Sequence, residues 1–161
     1  MRFMIAGLMA FGLCSFGAFG QGLTDLPPAS APGATNSDVT QATISTTICV
    51  SGWTKKVRPP ASYTNKLKMQ QMKDLGLTGS PADFEEDHRL DLGAGGNPTS
   101  PQNLWPQPRH GLWRASEKDH LEVFIQRSIC SGKMTLAEGQ AVMLGNWEDA
   151  YTKYFGEPTP E

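Results

Sequence analysis

Of the three cysteines in this 161-residue chain, Cys14 sits in an apolar leader, so any domain that follows has only Cys49 and Cys130 with which to fix itself. The leader has a positive start at Arg2, an uncharged stretch over residues 3–19 and a small-x-small cleavage site at Ala18-Phe19-Gly20. That is the pattern of a secretory signal over residues 1–20, with Gln21 as the mature N-terminus. A membrane anchor is the competing reading, because the run is nearly long enough to span. The frequent glycines and the cleavage site favour the signal, and Phe11-Gly12-Leu13 is a poor lipoprotein signature ahead of Cys14. Export into an oxidising compartment, secreted or periplasmic, predicts that Cys49 and Cys130 pair; two buried free thiols are the alternative. The bridge closes a loop of roughly 80 residues, worth about 4 kcal/mol in the chain-entropy model. No other segment is long and apolar enough to cross a membrane, so the mature chain is expected off the membrane and monomeric.

Residues 21–43 are rich in Pro, Ala, Ser, Thr and Gly and carry no Lys or Arg. Such composition predicts a disordered spacer. The domain is expected over residues 44–156, with a tail at 157–161. Its first core-like run, Ala42 to Val50, is β-branched and reads as a strand. Lys55 to Pro60 reads as extended, because Pro59 and Pro60 disfavour helix just before them. A helix capped by Ser62 is expected to run to about Leu75, stopped by Gly76. Phe84–Leu92 and Asn103–Pro106 read as two short strands around the loop Gly93-Ala94-Gly95-Gly96-Asn97-Pro98. Three helices follow. The first is capped by Ser116, with Leu121, Phe124, Ile125 and Ile129 as its apolar stripe. The second opens on the capping box Thr135-Leu136-Ala137-Glu138, and the third on Asn146.

Charge is unevenly distributed. Residues 55–118 carry ten Lys or Arg against seven Asp or Glu, and residues 119–161 carry three against seven. The whole chain has a net charge of −2, which does not mark a nucleic-acid binder by itself.

The densest chemistry lies in Glu85-Glu86-Asp87-His88, the Gly loop, Asn103-Leu104-Trp105-Pro106-Gln107-Pro108-Arg109, and Lys118-Asp119-His120-Leu121-Glu122. Asp87-His88, Leu90, Leu92, Gly95-Gly96 and Asn103-Leu104 stand in an order that resembles the His-Asn-His (His-Me finger) endonucleases. The likeness covers Glu85 to Glu122. More broadly, Cys49 through Tyr154 is similar to a group of small exported bacterial proteins with an Asp-His and Asn-Leu-Trp-Pro core. The resemblance implies an α+β fold with a small ββα-metal core, further packed helices and one disulfide.

It also implies a metal-dependent nuclease that hydrolyses phosphodiester bonds of DNA or RNA. His88 would be the general base, its imidazole being neutral near pH 7. Asn103 would fix the loop that orients it. Asp87 would hold a divalent ion, with Asp119 as the further ligand and His120 as its substitute. Two carboxylates suit magnesium, with manganese or zinc as other choices. Arg109, Arg114 and Lys118 would contact phosphate. The chain departs from the family at the third metal ligand, in the longer stretch between Asn103 and the helix, and at Asp91, where a small residue or Pro is common. The alternative is an exported binding or structural module that keeps the scaffold without catalysis, since fold likeness does not establish chemistry. A glycosidase using Glu85 or Glu86 with Asp119 is a third possibility that nothing specific favours.

Overall fold

The computed structural model describes residues 25–160. The expected signal and its cleavage site lie outside the described residues. Among the described residues, no helix is long and apolar enough to cross a membrane. Among the described residues the architecture is α+β: a two-stranded antiparallel hairpin and five α-helices. In chain order these are α1 (Trp53–Val57), α2 (Ala61–Asp74), β1 (Phe84–His88), β2 (Leu104–Pro108), α3 (Ala115–Cys130), α4 (Leu136–Leu144) and α5 (Trp147–Phe155).

The hairpin pairs Phe84 with Pro108 and His88 with Leu104, so its register is continuous over five residues. Pro106 and Pro108 cost no interior ladder bonds, because a two-stranded sheet has an open edge on each side. Directly paired residues share a face, and successive residues alternate. Phe84, Glu86 and His88 therefore lie on one face with Leu104 and Pro106, and Glu85 and Asp87 on the other with Trp105 and Gln107. Helix α2 lies against both strands, where Lys68 Nζ donates to the carbonyls of Pro81 (2.7 Å) and Phe84 (2.8 Å). On the other face Asp87 is reached from α3 by Lys118.

The apolar core sits between α3, α4, α5 and the loop after β1. Leu121, Ile125 and Ile129 pack with Leu90, Ala94, Leu136, Met143 and Trp147, and all are buried. The crossing of α3 and α4 is close at Gly139, where a Cβ would meet Ile129 Cδ1 at 2.5 Å. Trp113 stands edge-on to Trp147 at 5.6 Å. The Cys49–Cys130 disulfide is present, its Cα atoms 5.5 Å apart, and ties the segment before α1 to the end of α3. Such a bridge fits an oxidising, extracytoplasmic compartment.

Three local expectations are corrected. Ala42–Val50 forms no strand; it winds into a 3-10 turn at Ile44–Thr46. The threonine hydroxyls divert the backbone: Thr46 and Thr47 both donate to the Thr43 carbonyl, and Thr43 donates to that of Asp38. Lys55, Lys56 and Val57 lie in helix α1, and the extended backbone is confined to the residues after it, Arg58 immediately before Pro59 and Pro60 among them. The described part of the expected spacer, residues 25–43, is folded. Gly33 N–H donates to the Gln102 carbonyl, Asn36 N–H to Gly95, and Asn97 N–H to Ala34, at 2.7–2.9 Å. Ala31 and Val39 are buried. The segment is poor in apolar area, but it borrows backbone partners from the β1–β2 loop.

Candidate functional site

One side chain ties the start of the β1–β2 loop to its end. Asn103 is fully buried, and its Oδ1 accepts from the N–H groups of Leu90 (2.9 Å) and Ala34 (3.2 Å). Its Nδ2 donates to the carbonyls of Leu90 and Asn97, each at 2.9 Å. All four hydrogen-bonding positions of the amide are used. Gly96 allows the turn to close, since a Cβ there would meet the Leu90 carbonyl oxygen at 1.8 Å. Asn103 thus clamps the loop.

His88 ends β1 and is 2 % exposed. Its Nε2 lies 3.0 Å from the Pro98 carbonyl. A carbonyl only accepts, so Nε2 carries the proton and Nδ1 is left as the basic atom. Burial pushes the imidazole pKa below its usual value, helped by the Arg58 and Lys118 cations and opposed by Asp87 and the Pro98 carbonyl. His88 is therefore neutral at pH 7.

Asp87, on the opposite face, meets Lys118. The Lys118 ammonium is wholly buried and donates to Asp87 Oδ2 (2.6 Å), to the His88 carbonyl (2.8 Å) and to Glu122. Burial alone would lower the lysine pKa; the two carboxylates outweigh it and raise it. Lys118 is thus a permanent cation, and the expectation that it faces phosphate is corrected: helix α3 turns it inward, beneath the hairpin. Glu122, one turn along the same helix, is also held mainly by burial well above its ordinary pKa, although Lys118 works against this.

The other expected residues do not gather around Asp87. Asp119 stands at the surface, close enough to Asp87 that burial first and that carboxylate second raise its pKa. His120 points elsewhere, stacked on Phe155 at 4.2 Å and edge-on to Tyr151. Arg109 pairs with Glu85 at 2.9 Å, and Arg114 with Glu117 at 3.0 Å. Among the described residues, no three of His, Cys, Asp and Glu converge closely enough to hold a metal ion. The residues named for a divalent ion therefore do not fit one as they stand: Asp87 is neutralised by Lys118, and His120 faces the aromatic cluster.

Beside the ion network lies a polar cleft of about 230 Å³, lined by Thr54, Arg58, Asp91, Asp119, Glu122 and Gln126 among others. Asp91 is its most buried carboxylate, at 4 % exposure. Its Oδ2 caps the turn at Leu92–Ala94 by accepting from Ala94 N–H at 3.0 Å, while Oδ1 has no hydrogen-bond partner. Burial raises Asp91 to about 6, with Lys118 opposing and Asp87 reinforcing. Sequence reasoning passed over Glu122 and treated Asp91 only as a departure from a family pattern. The spacing of Lys118 and Glu122, four residues apart on a helix, was the signal for the first. Asp91 just before Leu-Gly-Ala, a side chain able to cap its own turn, was the signal for the second. No family model, curated protein or solved structure matches this chain.

Proposed function

We propose that the chain is an exported binding module, secreted or periplasmic, that keeps a hairpin-and-helix scaffold similar to the ββα-metal nucleases without their metal chemistry. One observation carries this reading. The Lys118 ammonium takes the cation's place against Asp87, supplied by the protein's own helix and satisfied by Asp87, Glu122 and the His88 carbonyl. A buried carboxylate with a built-in counter-charge has no need of an external ion, and separating the pair is costly. His88, Asn103 and Asp87 then serve the fold: a neutral buried imidazole, a loop clamp and half of an ion pair.

A second reading, a magnesium-dependent nuclease on DNA or RNA with His88 as base, is favoured by the Asn103 clamp and by a His88 tautomer whose basic Nδ1 is unspent. Incubating the purified oxidised protein with supercoiled plasmid and with RNA, in magnesium, manganese or zinc, separates the two. The module reading expects no cleavage above that of a His88→Ala control under any metal. Metal-dependent nicking that His88→Ala abolishes would overturn it and establish the nuclease.

A further inference from the structure

The cleft beside the Lys118 network is chemically unbalanced. Of its described lining residues three are acidic, Asp91, Asp119 and Glu122, and one, Arg58, is basic. The nearby Lys118 ammonium answers this excess only in part: one donor reaches Glu122, and the other two are spent on Asp87 and the His88 carbonyl. Asp91 is left with a buried oxygen that accepts from nothing. Such an acceptor is expensive to keep unless something donates to it.

We propose that this cleft binds a small organic cation, an ammonium or guanidinium on a short carbon chain, with Asp91 Oδ1 as its innermost acceptor and Asp119 and Glu122 at its sides. Two observations choose this class over a bare metal ion. The acids line a volume of about 230 Å³, room for a group of several heavy atoms, and they do not converge as a metal cluster. Nitrogen donors tolerate acceptors spread around a pocket wall, whereas magnesium demands near-ideal octahedral oxygens close around it. The adjoining slot already shows the chemistry at work: Lys118 is an alkylammonium seated among carboxylates. Thr54 and Gln126 flank the cleft, and Arg58 on its wall could receive a carboxylate carried by the same ligand. The cation could be a free amine or a Lys or Arg side chain of a partner protein; the recognition chemistry is shared.

The inference rests on the reading of the chain as a binding module and names what that module takes. The test is calorimetric titration of the oxidised full chain with agmatine, with 1,4-diaminobutane, with a lysine-bearing peptide and with magnesium chloride. Saturable binding of an amine or guanidine is expected, weakened at least tenfold in Asp91→Asn. Because Asp91 caps a turn, Asp119→Asn at the exposed rim serves as the second variant and is expected to weaken binding while leaving thermal unfolding unchanged. Tighter binding of the free amine, or of the peptide, supports the proposal and assigns the source. Binding of magnesium alone, or amine binding equal in parent and both variants, overturns it. Such a failure leaves the module reading standing, which only metal-dependent nicking removes.

Discussion

Glu86 shows what a single side chain can impose on the whole fold. It lies mid-strand on the α2 face, and both carboxylate oxygens are buried without a hydrogen-bond partner. Burial, reinforced by Asp87 and only partly relieved by Lys68, lifts its pKa from 4.5 to about 8. Above pH 4.5 the unfolded chain has released this proton while the folded chain keeps it. Stability therefore falls as the pH rises towards about 8. His88 has the opposite sign: its lowered folded pKa contributes stability above pH 6.5 that is lost as the pH drops. Glu86→Gln is expected to match the parent near pH 4.5 and to exceed it in stability at pH 8, the gap widening between. Urea denaturation at four pH values checks this; a gap that does not change with pH would contradict it. At this scale Asn103 was legible only through the family resemblance, which implied a loop-fixing amide at that position. The turning-in of Lys118 was not, since nothing local distinguishes a lysine facing phosphate from one facing carboxylates across a sheet.

The elements followed their punctuation. The capping box of Thr135 and Glu138 opens α4, and Asn146 caps α5 by accepting from Glu148 and Asp149 N–H. Gly132, at φ 74°, follows the end of α3. The helix expected to be capped by Ser116 starts two residues earlier than that cap implies, at Ala115, with Arg114 at the N-cap position and Ser116 inside the helix. Ala42–Val50 misled because β-branched residues signal a strand only when another strand is there to pair with, and the hydroxyls of Thr43, Thr46 and Thr47 found carbonyls nearer by. The end of α4 depends on a residue from elsewhere in the chain. Arg89 donates to the Leu144 carbonyl and, at 2.7 Å, to that of Gly145, a cation placed at the negative end of the helix. Arg89→Ala is expected to cost about 1.5 kcal/mol. It should also speed hydrogen exchange of the α4 amides more than those of α2; uniform acceleration would mean that Arg89 acts globally rather than at that terminus.

For the molecule as a whole, the disulfide and the folded N-terminal segment are long-range closures. Cys49 and Cys130 are 81 residues apart, so removing the bridge relaxes most of the domain in the unfolded state. Replacing both cysteines by serine is expected to lower stability by about 4 kcal/mol. The check is urea unfolding of this variant beside the parent with and without reductant; a parent unaffected by reductant would show that the bridge does not set stability. The bridge was legible by cysteine arithmetic once the leader was set aside. The folding of residues 25–43 was not, because composition reports what a segment can bury alone and is silent about backbone partners lent by a distant loop.

Those partners also set an order of events. Gly95, Gln102 and Asn103, which hold residues 33–36, and Leu136, whose N–H donates to Gln41, all follow them by 59 residues or more. A chain delivered N-terminus first at about 5–20 residues per second therefore carries an unanchored leading stretch and an unpaired Cys49 thiol for several seconds. Later segments close the earlier one, so residues 33–41 are not fully anchored until residue 136 has emerged.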